Sequence, residues 1–202
     1  MKKKLLVMLI GLVFMTGCGT MTMETKSKLT NTIILDKSKI QEKSIYIQVI
    51  NTANSGGEKM KLEDKIKEKL TNKGYRIAST SDNSTLGLFI NVLFANNLKE
   101  ANAIKAAGVT GGLTGVVAMG SGSNTGDSLL IGASAALAGA IIGKSLEDET
   151  FRAVIDMKVK NYVDNTENDT RLFAQAVKMN LDLDKAIPVL EKESVNSIVN
   201  IF

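Results

Sequence analysis

The residue with the most definite chemistry in this chain is its single thiol, Cys18. It follows Met15-Thr16-Gly17, which ends an apolar run, Leu5 to Phe14, that itself follows Lys2-Lys3-Lys4. A charged start, an apolar middle and small residues before a cut make the secretory signal pattern, and the run is too short to span a bilayer as a finished helix. Cleavage after Gly17 leaves Cys18 with a new amine to acylate and a thiol to alkylate. The pattern predicts a signal peptide over 1–17, and its likeness to the bacterial lipobox implies a covalent N-acyl and S-diacylglycerol lipid on Cys18. No other cofactor is expected.

This arrangement resembles the bacterial lipobox, with Met15 where leucine is usual. Beyond it, reactive chemistry is thin. There is no histidine, so the commonest general base and metal ligand is missing, and a single cysteine allows neither a zinc or redox pair nor an internal disulfide. No Ser and Lys arrangement stands out among the 25 cations as an activated nucleophile. No catalytic residues and no metal site are expected, and the protein reads as a non-enzyme. The net charge of +4 owes most to Lys2, Lys3 and Lys4. Without them, cations and anions are nearly balanced and interleaved, so no basic face for nucleic acid forms.

These features need a body to hold them. Residues 18–43 read as the lipidated N-terminus and a polar tether, with a short strand at Thr32–Leu35. Ser44–Ile50 alternates around Ile45, Ile47 and Val49, as a strand does. Between Glu58 and Lys73, Leu62, Ile66 and Leu70 recur every fourth position, which predicts an amphipathic helix stopped by Gly74. Tyr75–Ala78 and Leu86–Ala95 read as further strands, as do Phe151–Tyr162 and Leu172–Leu181. From Asp184 to Phe202, Ile187, Leu190, Ser194, Ile198 and Ile201 share one side of a helix, with Pro188 placed in its first turn.

The stretch between Ala95 and Phe151 differs in composition. Ala106–Met119 and Leu129–Gly143 contain no charge. Between them lies a polar run that includes Ser121, Ser123, Asn124, Thr125, Asp127 and Ser128. This predicts a transmembrane helical hairpin whose arms reach about 21 to 23 Å, short of the usual core of about 30 Å and suited to the thinner outer membrane. Gly108 and Gly112, Gly111 and Gly115, Gly132 with Ala136 and Ala140, and Gly139 with Gly143 fall four apart. Such small faces let helices pack closely in lipid, as in a glycine zipper. Lys105 and Lys144 flank the hairpin on one side of the membrane, and the polar tip faces the cell exterior. The expected fold class is α+β: a lipid-anchored, β-α-β-rich periplasmic domain with an inserted glycine-zipper hairpin and a C-terminal helix. Its parts are 44–100 and 147–202, interrupted by the hairpin at 101–146.

Along nearly its whole length the chain resembles the TraT family of plasmid-encoded outer-membrane lipoproteins. The resemblance is carried by Gly17-Cys18-Gly19, by Lys73-Gly74-Tyr75, by the Gly/Ala-rich middle and, most specifically, by the tail. There Ala186-Ile187-Pro188-Val189-Leu190-Glu191 leads to Ser197-Ile198-Val199-Asn200-Ile201. The polar segment between Val163 and Arg171 is shorter than in the family, and the run 121–128 differs freely. The resemblance implies an outer-membrane location, surface exclusion of redundant mating, and resistance to complement and phagocytosis. The implied partners are further copies of the chain in a ring, the outer membrane and donor-cell conjugation surface proteins. A structural envelope lipoprotein or small pore without a recognition role is the alternative.

Overall fold

The computed structural model describes residues 22–40, 42–53, 56–97 and 150–202. They form one curled six-stranded sheet with two helices on one face. The strands are β1 (Glu24–Leu29), β2 (Ser44–Asn51), β3 (Arg76–Ala78), β4 (Leu86–Asn97), β5 (Thr150–Asn161) and β6 (Thr166–Val177). The helices are α1 (Glu63–Asn72) and α2 (Leu183–Val199). Across the sheet the order is β1-β6-β5-β4-β2-β3. Only β2 pairs in parallel, with β3 and β4; every other pairing is antiparallel.

Local chemistry explains most boundaries. Ile66 and Leu70 of α1 and Leu62 just before it are buried in line, as the four-residue period requires. Gly74 ends α1 at φ +84°, donating to Thr71 O at 2.9 Å while Tyr75 donates to Leu70 O at 3.0 Å. This is a Schellman stop, suited to glycine because a residue without Cβ enters the left-handed region without a steric penalty. Helix α2 begins with the Asp182 carboxylate accepting the Lys185 N–H at 2.9 Å, which satisfies one of the free donors of its first turn. Its buried face, Ala186, Ile187, Leu190, Ser194, Val195 and Ile198, covers Ile155, Leu172 and Ala174 of the sheet in one core.

Several expectations need correction. The fold-class reading, a β-α-β-rich domain carrying a transmembrane helical hairpin, gives way to this curled, largely antiparallel sheet. Only β2-α1-β3 makes an adjacent β-α-β unit. Among the described residues no helix is long and apolar enough to cross a membrane, and 101–146 lies outside them. The strand expected at Thr32–Leu35 is irregular chain; the strand of this region is β1, at the sheet edge. Its alternation is hidden because its inward residue Ser27 is polar, donating to Glu193 Oε1 at 2.6 Å beside Ser197 Oγ at 2.7 Å on α2. Strand β6 starts at Thr166, earlier than Leu172, because pairing with β5 extends the ladder through polar residues. Pro188 lies beyond the first turn of α2.

One buried polar atom stands out in the core. Ser194 Oγ is enclosed and has no hydrogen-bond partner among the described residues. An unsatisfied buried hydroxyl costs about 1 to 3 kcal/mol. Ser194→Ala is therefore expected to raise stability by about 1 kcal/mol, read as a higher urea midpoint at unchanged slope. A lowered midpoint would show that the hydroxyl has a partner.

Candidate functional site

The alternate residues of the sheet look away from the helices, and they carry its chemistry. A bulge between Val92 and Phe94 changes the sidedness of β4: Leu88, Ile90 and Val92 belong to the core, whereas Phe94 pairs with Val154 on the opposite face. That face is read as rows across the strands. Phe94, Val154 and Phe173 form an apolar row, and Arg152 lies in the next, donating from Nε to Gln175 Oε1 at 3.1 Å. Burial pulls the Arg152 guanidinium below its ordinary value. Asn91, Asp156 and Arg171 follow on the other side of the apolar row. Arg171 grips Asp156 through two donors, Nη2 at 2.8 Å and Nε, the fork geometry that suits a carboxylate.

Lower on the face the charges form a ladder. Lys160 pairs with Glu167 at 2.9 Å, and Lys158 stands between Glu167 and Asp169 at 3.3 and 3.8 Å. The hydrogen bond from Lys160 holds the Glu167 carboxyl below its ordinary value of 4.5 and raises Lys160 in return. Because the folded value of Glu167 is depressed, its contribution is complete above pH about 4.5 and fades as pH falls through the folded value. Glu167→Gln is expected to flatten stability against pH in that acid window, measured by urea unfolding at a series of pH values. An unchanged slope there would show that the ladder contributes nothing. Beyond the ladder, the Tyr46 and Phe89 rings meet edge to face at 6.0 Å, and Lys160 Nζ lies 5.4 Å from the Tyr162 ring centre. Gly87 makes room for them, since an added Cβ would fall 2.8 Å from Tyr162 Oη and 2.9 Å from Phe89 Cε2.

The upper rows of this face, with Phe94, Phe173, Arg152 and Arg171, are buried, and only its lower end, where Lys158, Lys160, Glu167 and Asp169 are partly exposed, has the makings of a contact surface. Its Asp156, Lys158, Lys160, Glu167, Asp169 and Arg171 are paired with one another, and among the described residues no group of three His, Cys, Asp or Glu side chains could hold a metal. A shallow groove where the helices end is lined by Lys69, Asn72, Lys73, Asn196, Val199 and Asn200. Lys73 Nζ there donates to Val199 O at 2.8 Å, binding the C-terminal end of α2 to that of α1.

The residues singled out from the sequence fall elsewhere. Cys18, Lys105, Gly108, Gly111, Gly112, Gly115, Ser121, Ser123, Asn124, Thr125, Asp127, Ser128, Gly132, Ala136, Gly139, Ala140, Gly143 and Lys144 all lie outside the described residues. The points where the chain leaves the sheet toward them are nevertheless defined. Asn97, the last residue of β4, pairs with Phe151 at the start of β5. Glu24, the first of β1, shares a row with Val177 and Thr150. The N-terminal segment and 98–149 thus depart from one end of the sheet, Thr150 about 10 Å and Asn97 about 15 Å from Glu24 at the usual strand spacing.

Sequence reading missed Arg152, Asp156, Arg171 and Glu191. The first two sit in a stretch whose alternation was read for its apolar side alone, so a signal was available. Glu191 had none: its carboxylate accepts the Lys61 N–H at 2.6 Å and an ion pair from Lys65, closing the start of α1 from another element.

Comparison with known proteins now gives the arrangement a lineage. A TraT complement resistance protein of Escherichia coli is 27% identical over 93% of this chain and 92% of its own length. Among solved structures, a variant PelC dodecamer from Paraburkholderia phytofirmans aligns with a TM-score of 0.44 at 9% identity, covering 88% of this chain and 97% of that one. A DUF4136 family protein from Bacteroides thetaiotaomicron aligns at 0.38 with 12% identity, over 88% of this chain and 96% of that one. The family model described as enterobacterial TraT complement resistance protein matches residues 22–169, from β1 into β6. By that match the chain belongs to the TraT complement resistance family.

Proposed function

We propose that this protein is an outer-membrane lipoprotein, anchored through Cys18, that protects its cell from complement and blocks redundant conjugative transfer. Family membership supports the first activity. Surface exclusion is the finer reading, and with it come a ring-like homo-oligomer and donor-cell surface proteins as partners. The protein acts by binding and shielding, without catalysis.

The observation that carries the anchored reading is the common end of the sheet. Met23 packs against the core and Glu24 begins β1, so a lipid on Cys18 sits a few residues from the row Glu24, Val177 and Thr150. The chain passes to and from the uncharged stretches 106–119 and 129–143 at that same end. One end thus holds both the tether to Cys18 and the junctions with 98–149. The partly exposed ladder of paired charges at the other end, Lys158, Lys160, Glu167 and Asp169, remains for contact with protein.

Recipient cells expressing this chain test the reading. Against cells without it they are expected to accept the cognate plasmid less often and to survive serum better. Crosslinking in the membrane is expected to give a ladder ending at one closed species. Serum survival without any change in mating would leave complement resistance and remove surface exclusion. A protein that changes neither would be the structural envelope lipoprotein. Partner choice is assigned to the polar run 121–128, and exchanging it with that of a relative is expected to change which donors are excluded.

A further inference from the structure

We infer that the turn between β6 and α2, Lys178-Met179-Asn180, is a second contact with the membrane, seated on a leaflet that carries anionic headgroups. The inference rests on the anchoring of Cys18 proposed above. From Cys18 to Met23 the chain spans at most about 18 Å when fully extended. Met23 is packed against the core, so the end of the sheet that begins at Glu24 is held at that distance or less from the lipid surface. What protrudes at that end lies within reach of the headgroups.

The turn protrudes there. Val177 lies in the row of Glu24 and Thr150, and the chain then crosses from the sheet to Asp182, the cap of α2. The turn is held in shape: Leu181 is buried and its N–H donates to Lys178 O at 3.2 Å, while Asn180 adopts φ 55°. Met179 is thereby left 51% exposed. Charge around it is sorted. Lys26, Lys59 and Lys185 are each occupied by a carboxylate, Glu24, Asp184 and Asp182 respectively, whereas Lys178 makes no ion pair among the described residues.

A comparable apolar residue marks the contrast. Val163 is 52% exposed in the β5–β6 turn, at the other end of the sheet, and its neighbour is Asp164. An apolar side chain beside a free cation suits the boundary between acyl chains and phosphates; one beside a carboxylate does not. Met179 with Lys178 fits a lipid surface and Val163 with Asp164 fits water. A lipid on a flexible tether fixes distance but not orientation, and a second contact at this turn would stand the sheet upright on the membrane.

The test uses the full lipidated protein in vesicles of phosphatidylethanolamine and phosphatidylglycerol. Cys18 is the only thiol and is consumed by the lipid, so Met179→Cys or Val163→Cys supplies the one site for an environment-sensitive maleimide dye. Lipids with a nitroxide just below the headgroup are expected to quench the dye at 179 at least about twofold more than at 163, since interfacial side chains sit about 5 to 10 Å into the boundary. Adding Lys178→Glu is expected to bring the two sites level. Equal quenching at both sites, or quenching at 179 that survives Lys178→Glu undiminished, overturns the inference. Failure of the anchoring itself is read separately: the parent protein would take up dye at Cys18 and would not float with the vesicles.

Discussion

Without the lipid proposed at Cys18, the protein is expected to leave the outer membrane almost completely. Exported behind a signal peptide that is cleaved without acylation, a Cys18→Ser chain should appear in the soluble periplasmic fraction, with no incorporated palmitate. A single myristoyl-sized chain supports an association constant of only about 10⁴ M⁻¹, and each buried methylene contributes about 0.8 kcal/mol. Removing several chains at once therefore costs many orders of magnitude in partition, far more than one turn such as Lys178–Asn180 can restore. Serum survival and mating exclusion are expected to fall with it, because a shield must stay at the surface it protects. Retention of the serine variant in the outer membrane at the parent level would show that something other than the lipid anchors the chain.

The second large effect is expected in the core. Leu190 is fully buried where α2 crosses the sheet, within the tail segment Ala186–Glu191. Leu190→Ala removes its contacts and leaves a cavity, for an expected loss of about 2 to 5 kcal/mol. Against a total stability of about 5 to 15 kcal/mol, that is enough to lower the steady amount of protein in cells. Val163→Ala, at an exposed turn, is expected to stay within about 0.5 kcal/mol. Urea unfolding of the two variants in detergent separates the cases, and equal midpoints would mean that α2 does not clamp the sheet. The tail, which lies beyond the family match over residues 22–169, is first a packing element: Leu190 fills the core, and Glu191 accepts from Lys61 and pairs with Lys65 at the start of α1.

What the sequence determined by itself is whatever depends on near neighbours. The four-residue recurrence of Leu62, Ile66 and Leu70 defines the buried line of α1, and Gly74 defines its stop, because both follow from the pitch of a single helix. Alternation located β2 and β5, a continuous apolar run located β4, and β6 was located only where its residues turn apolar. Tertiary structure decided the rest. Strand β1 exists because β6 offers its edge and α2 offers Glu193 and Ser197 to the inward Ser27, none of which is near β1 in sequence. The two-residue period of a strand says that Arg152 and Asp156 share a face, but only the register with β6 sets them beside Gln175 and Arg171. The reading of 101–146 from composition alone overreached, since apolar character and glycine spacing state what a segment tolerates, whereas its architecture depends on what packs beside it. The common end for the tether and 98–149 is likewise a matter of strand order: β1 and β5 flank β6, and nothing in the chain read one residue after another brings Glu24 beside Thr150.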